Sequence, residues 1–169
     1  MGYPSSARVV ESSLPRWFGS PRKTIVSETA FLLDVNALVA LADKDHIHHR
    51  IMAAWFKSTG HHEWAICAFT EAGFLRVMCR PTLTSRSLED ATDILSRFSE
   101  HPGYRYWPVS SSWPVLSAPF QGRVFGHQQI TDAYLLGLAV KKSGVLVTFD
   151  KALSHMAGAE HRRNLLILK

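Results

Sequence analysis

Four acidic residues stand at positions where carboxylates could act together on a phosphate ester. They are Asp34, Glu71, Asp132 and Asp150. Asp34 and Asp150 each end an apolar segment typical of a buried strand, whereas Glu71 and Asp132 each lie at the start of a helical segment. Such positions converge on one edge of a doubly wound sheet. Because oxygen-only ligation selects Mg²⁺ or Mn²⁺ over zinc, we expect these acids to bind one of those ions.

Glu71 illustrates why the set is more informative than any single member. It falls in line with Phe74, Leu75 and Met78, at the spacings of the apolar stripe of the predicted helix. A solvated acid is not expected there. For an isolated glutamate, however, the alternative of a first-turn acid favoured by the helix dipole is the stronger interpretation.

Asp132 precedes a segment, 133–140, that contains no charged residue. This composition predicts a helix that is buried almost all round. We expect Thr131 to cap the helix and Asp132 to be paired, hydrogen-bonded or on a metal ion, because an unpartnered buried charge is costly.

Other polar residues are candidates for supporting roles. Asn36 is expected to cap the helix 37–42 and to lie beside the Asp34 carboxylate. Four basic residues are candidates for phosphate contacts, although a residue of this kind is more often just a solvated base. They are Arg76, Arg80, Arg123 and Lys151.

Other reaction classes find less support in the sequence. No Ser/His/Asp or Cys/His set has a persuasive spacing, so a covalent intermediate is not expected. Histidines cluster at His46, His48 and His49, but no second spaced pair completes a zinc pattern, and a polar loop is the preferred interpretation. Cys67 and Cys79 are expected to be reduced, buried thiols.

The length and composition are those of an ordinary globular chain, and the net charge indicates a basic surface. The 169 residues include 46% hydrophobic and 20% charged residues, and the formal net charge is +5. A basic surface around an acidic cleft suits a polyanionic substrate, although solubility alone would also explain the charge. No apolar run approaches the ~18 residues of a membrane span, and no signal peptide is evident, so we expect a cytoplasmic protein.

Alternating strand and helix patterns predict an α/β domain over 29–169, with a mostly parallel sheet between helices. The expected strands are 31–33, 64–67, 104–109, 145–149 and 164–168. The expected helices are 37–42, 50–57, 70–79, 87–100 and 130–142. In the fourth helix, Ser87 and Asp90 are expected to form a capping box. The buried face of that helix is expected to carry Leu88, Ala91, Leu95 and Phe98, with Glu89, Asp90 and Asp93 in solvent.

Residues 1–28 contain three prolines, scattered serines and no sustained period. They are expected to form a poorly ordered basic arm or extension.

The motifs, taken in order, resemble those of the PIN-domain nucleases, specifically the VapC-type toxins of bacterial toxin-antitoxin pairs. The matching segments are Leu33-Asp34-Val35-Asn36, the run from Thr70 to Arg76, the run from Thr131 to Ala139, and Val147-Thr148-Phe149-Asp150. The His46–His49 loop and Arg80-Pro81 are similar to one branch of that group. The resemblance covers Phe31 to the end of the chain, and the arm before it departs from the compact family pattern.

This resemblance implies a PIN-like three-layer α/β/α fold and a metal-dependent endoribonuclease that a small cognate antitoxin silences. It assigns the Mg²⁺ or Mn²⁺ ligands to the four acids, with Asn36 and Thr148 as polar supports. The expected substrate is structured RNA, such as a tRNA or an rRNA loop. A homodimer is also implied, and amphipathic runs around Ile51, Trp55 and Leu88 favour it.

Two other functions stay open at this point. The first is a catalytically silent PIN-like module that binds RNA or protein. The second is a metal-dependent phosphate-ester enzyme for small substrates, which would require a closed pocket, whereas a nuclease needs an open basic groove.

Overall fold

The structure is a computed structural model, and it describes residues 29–84 and 86–169. The predicted arm, 1–28, lies outside the described residues. Within the described part of the chain, no helix is long and apolar enough to cross a membrane.

Five parallel strands form one sheet in the order β3-β2-β1-β4-β5. Their bounds are β1 Phe31–Leu33, β2 Trp64–Ile66, β3 Tyr104–Tyr106, β4 Val145–Thr148 and β5 Leu165–Ile167. The central strand is β1, in which Phe31 pairs with Trp64 on one side and with Val145 on the other. The predicted parallel sheet is confirmed, although four of the five strands are shorter than expected.

Helices cover both faces of this sheet. Their bounds are α1 Val35–Ala42, α2 His49–Trp55, α3 Ala68–Met78, α4 Leu88–Ser99, α5 Trp113–Ser117, α6 Ile130–Lys141 and α7 Leu153–Ala157. One core contains buried residues of α1 to α4, and the other contains buried residues of α6 and α7, with Trp113 of α5 packed against it. The predicted three-layer α/β/α fold is therefore confirmed.

Strand β1 shows why its sequence is apolar without interruption. Leu32 packs in the core with α6 and α7, whereas Leu33 packs in the core with α1 and α3. Successive side chains of a strand point to opposite faces, so a strand between two helical layers must be apolar at every position. Asp34 ends this run, where the chain leaves the sheet.

Two predicted helix caps are wrong. The cap of α1 is Asp34 rather than Asn36, because β1 ends at Leu33 and the helix begins at Val35 without an intervening loop. Asn36 lies exposed in the first turn of that helix. The cap position of α6 is Gln129 rather than Thr131, because the short 3-10 turn His127–Gln129 runs directly into the helix.

Helix α4 confirms one prediction and corrects another. Ser87 and Asp90 form the expected capping box. The three acids predicted to face solvent are exposed, and Ala91 is buried. Leu88, however, is 62% exposed, because the first residue of the helix points away from the core.

Candidate metal centre

Asp34 is the most deeply buried acid at the carboxyl edge of the sheet, with 8% of its surface exposed. Its Oδ1 accepts a hydrogen bond from Ala37 N at 2.6 Å, which caps α1. Its Oδ2 accepts one from the Thr148 hydroxyl at 2.5 Å. A carboxylate offers about four lone-pair sites, so each oxygen retains capacity for a cation.

Thr148 joins this acid to a second one. Its side chain is fully buried at the end of β4, and its Oγ1 also accepts from Asp150 N at 3.0 Å. Asp150 itself is exposed, and its Oδ1 accepts from Ala152 N at 2.7 Å. One threonine hydroxyl thus connects the ends of β1 and β4.

Asp132 lies half-buried in the first turn of α6. The pKa of its carboxyl is raised to about 6, mainly by burial and in addition by the nearby charge of Asp150. The pKa of Asp34 is likewise raised to about 6, because burial, with a smaller contribution from the charges of Asp132 and Asp150, outweighs the hydrogen bonds from Thr148 and Ala37, which lower it. The three aspartates are therefore close enough to repel one another.

Glu71 has a different set of neighbours. It is half-buried in α3, and burial raises the pKa of its carboxyl. Burial raises the pKa values of Tyr104 and Tyr106 on β3 and of the Cys67 thiol, and the charge of Glu71 adds to each increase. The structure thus brings three of the four predicted acids together and places Glu71 toward the β2 and β3 side.

The three aspartates fit a hard divalent cation in ligand type and in charge. All of their donor atoms are oxygens, and a cation would offset the repulsion that, after burial, adds to the raised pKa values of Asp34 and Asp132. In residues 29–84 and 86–169, no group of three or more His, Cys, Asp or Glu side chains is already arranged to hold a metal ion. Closing these carboxylates around one ion therefore requires side-chain rotation, for which exposed Asp150 has the most freedom.

The histidine loop packs against the centre through one aromatic contact. His48 stacks on Phe149, with ring centroids 4.2 Å apart and planes 11° apart. Phe149 stands between Thr148 and Asp150, so the stack covers the segment that carries these two groups. His49 Nδ1 lies 2.8 Å from Ala40 O. Sequence reasoning missed the stack, because nothing local to Phe149 indicates which ring covers it.

The four basic residues that were predicted to contact phosphate differ in whether their charged groups are free to bind a ligand. Arg76, Arg80 and Lys151 are exposed. The guanidinium of Arg123 is instead engaged, because its Nη2 donates to Pro119 O at 3.1 Å and lies 3.4 Å from Glu160 Oε2.

Comparisons with known proteins agree with this architecture. The PIN domain family model matches residues 31–159. Ribonuclease VapC44 of Mycobacterium tuberculosis is 39% identical over 124 residues, which cover 73% of this chain and 87% of that protein.

Two solved structures share the fold at low sequence identity. The first is the VapBC2 complex of Rickettsia felis bound to a DNA fragment from its promoter, with a TM-score of 0.54 and 14% identity, covering 83% of this chain and 100% of that one. The second is Mycobacterium tuberculosis VapC20, a sarcin-ricin loop cleaving toxin, with a TM-score of 0.50 and 11% identity, covering 68% and 84%. The family match and the identity to a VapC ribonuclease together show that this chain belongs to the PIN domain family and is of the VapC type.

Proposed function

We propose that this chain is a metal-dependent endoribonuclease, the toxin of a toxin-antitoxin pair. The observation that carries the proposal is the joining of Asp34 and Asp150 through the Thr148 hydroxyl, with Asp132 close enough to shift the pKa of Asp34. The similarity to VapC44, which is named a ribonuclease, supports RNA as the substrate.

Asp34, Asp132 and Asp150 would hold the ion, and Glu71 would complete the set from the side of β2. Mg²⁺ or Mn²⁺ supplies a water of lowered pKa and offsets charge on the leaving oxygen when bound. By donating to Oδ2, Thr148 favours the ionised form of Asp34 and orients its carboxylate. Asn36, exposed beside Asp34 in the first turn of α1, is the proposed polar support.

The proposed substrate is structured RNA, such as a tRNA or an rRNA loop. VapC20 is described as cleaving the sarcin-ricin loop, which is an example of such a target in a protein of this fold. The net charge of +5 favours a polyanion, since phosphate contacts supply much of the affinity of a protein for nucleic acid.

A cognate antitoxin is the proposed regulator, as the VapBC2 complex suggests. A homodimer is proposed from the exposed apolar residues of two helices. Ile51 of α2 is 36% exposed and Leu88 of α4 is 62% exposed.

A silent RNA-binding module is the second candidate. The observation that favours it concerns Glu71, whose charge adds to the burial that raises the pKa values of Tyr104 and Tyr106 but is not among the charges that raise those of Asp34 and Asp132. A module of this kind would bind RNA without cutting it.

The test is incubation of the purified full chain with tRNA and rRNA in Mg²⁺, in Mn²⁺ and in excess chelator. We expect cleavage with either ion, 5′-phosphate and 3′-hydroxyl ends, and none in chelator. Undiminished cleavage in chelator would refute metal catalysis. Binding without cleavage under all three conditions would establish the silent module instead.

A further inference from the structure

A basic groove runs along the edge of the sheet beside the candidate metal centre. Its volume is about 800 Å³, and it lies between β5 and α7. Its lining residues come from the turn before α7, from α7 and the turn after it, and from β5 with the residue that follows. They are Lys151, Ser154, Ala157, Gly158, Ala159, Arg162, Leu165, Ile167 and Lys169.

One end of the groove adjoins the aspartates. Lys151 follows Asp150 directly in the chain, and Ile167 pairs with Thr148 in the sheet. Lys169 lies beyond Ile167, at the same carboxyl edge. From Leu165 to Lys169 an extended strand spans roughly 13 Å, so the groove leads from the metal centre toward the other end of β5.

The groove carries positively charged side chains and no acidic side chain in its lining. Lys151, Arg162 and Lys169 are all exposed, and the lining contains neither Asp nor Glu. Leu165 and Ile167 are half-buried and provide an apolar floor between the cations. Cations around an apolar surface match a single nucleic-acid strand, which offers phosphates and base or ribose faces together.

The acid next to the groove in sequence is already paired. Glu160 Oε2 lies 3.4 Å from Arg123 Nη2. The Arg123 guanidinium packs over Gly158, where a Cβ would come within 1.8 Å of its Nη1 and where the backbone φ is +59°. A side chain at position 158 would therefore be strained and would displace Arg123, so the glycine preserves both the wall of the groove and the neutralisation of Glu160.

We propose that this groove binds the single-stranded RNA segment that flanks the scissile phosphate. The inference rests on the proposed function, because it places that phosphate at the aspartates. An acidic peptide would also match the charges. RNA is favoured because the groove opens at Asp150, where a strand held by the metal centre must leave the site.

The chain offers a matched pair of variants for the test. Arg162 and Arg163 are adjacent, exposed and of the same type, within the 3-10 turn Arg162–Asn164. Arg162 lines the groove, whereas Arg163 lines a separate cavity of about 500 Å³. Arg162→Ala and Arg163→Ala thus change the total charge equally and the charge of the groove differently.

The probe is a fluorescein-labelled single-stranded RNA oligonucleotide of random sequence, and binding to the full chain is measured in chelator over a range of salt concentrations. We expect Arg162→Ala to weaken binding several-fold and to reduce the slope of log K against log salt by about 0.7, the value for one phosphate contact on a single strand. Arg162→Ala with Lys169→Ala should reduce it by about 1.4. Arg163→Ala should leave the slope unchanged.

The proposal would be overturned if Arg162→Ala and Arg163→Ala lost RNA affinity equally, or if neither variant lost any. So would binding of a fluorescent polyglutamate peptide that depends on Arg162 while RNA binding does not, because the groove would then accept an acidic peptide. The measurement requires no cleavage, so it separates this proposal from the proposed activity. If the chain does not cut RNA but Arg162→Ala still weakens RNA binding more than Arg163→Ala does, the groove proposal stands and the proposed nuclease activity is refuted.

Discussion

The Thr148 hydroxyl donates to Asp34 Oδ2 at 2.5 Å, although the two residues are 114 positions apart in the chain. The same oxygen accepts from Asp150 N at 3.0 Å. Neighbouring strands β1 and β4 bring these groups together at the carboxyl edge. The contact fixes the spacing between a buried acid and an exposed one, and several expected outcomes depend on it.

Thr148→Val removes the hydroxyl and keeps the shape of the side chain. Asp34 Oδ2 then loses a buried donor and Asp150 N loses its acceptor, so we expect a loss of about 1–3 kcal/mol in the free energy of unfolding. We also expect about a tenfold fall in RNA cleavage. Urea denaturation and a cleavage assay measure both, and Thr148→Ser should recover most of the activity. A valine variant as stable and active as the native chain would refute the role of the contact.

The stability of the metal-free protein should fall as pH rises from about 4 to about 7. The pKa values of Asp34 and Asp132 are raised from 3.8 to about 6, so the folded chain binds more protons than the unfolded chain between those values. The contribution of these two carboxyl groups to stability is complete below their pKa in the unfolded chain, and it is lost as the pH rises through about 6, their pKa in the folded chain.

This pH dependence is measured by urea denaturation in chelator across that range. Asp132→Asn removes one of the two groups, and the difference between the native chain and the variant cancels unrelated groups such as His46, whose pKa is lowered by burial. If the difference in the free energy of unfolding between the native chain and Asp132→Asn does not change with pH, the raised pKa assigned to Asp132 is contradicted.

Glu71→Gln tests the acid that lies toward Tyr104 and Tyr106. We expect cleavage to be lost, because Glu71 is the proposed fourth ligand, but Mn²⁺ affinity by calorimetry should fall less than in Asp132→Asn. We expect this smaller fall in affinity because Asp34, Asp132 and Asp150, whose charges act on one another, all remain in the Glu71→Gln variant. If Glu71→Gln is fully active, Glu71 is not a metal ligand and acts only as an acid that the helix dipole favours in the first turn of α3.

The proposed homodimer predicts that a charge on α2 separates the protomers. Ile51→Glu should shift the native dimer to a monomer in light scattering at micromolar concentration. Ile47→Glu is the matched control, because Ile47 is 85% exposed on the histidine loop outside the predicted interface. A native chain that is monomeric without antitoxin would refute the dimer, and equal effects of the two variants would refute the assigned surface.

Local patterns predicted the strands and helices well where the signal lies within a few residues. Asp34 and Asp150 follow β1 and β4 as expected, and the capping box at Ser87 and Asp90 is present. The wrong caps show where such patterns mislead. Only Asp34 stands between the end of β1 and the start of α1, so it is the cap of the helix, and Asn36 lies two positions too late.

Contacts between distant segments were beyond the sequence alone. The order of strands decides that Thr148 reaches Asp34 and that β5 lines a groove next to Asp150. The same order places β3 beyond β2, and the charge of Glu71 adds to the burial that raises the pKa values of Tyr104 and Tyr106 on that strand. Fold class could be predicted from alternation of strand and helix, whereas the charges that act on Asp34 and Asp132 could be identified only from the positions of the side chains.

Cleavage of RNA by Asp132→Asn, compared with the native chain in Mg²⁺ or Mn²⁺, tests the central claim most directly. The amide is nearly isosteric and removes one charge from the repelling set, so the variant should fold at least as stably in chelator. If Asp132 holds the ion, cleavage should fall to almost nothing and the stabilisation that Mg²⁺ gives the native chain should largely disappear. A variant that is less stable without metal yet fully active would contradict the proposed metal centre.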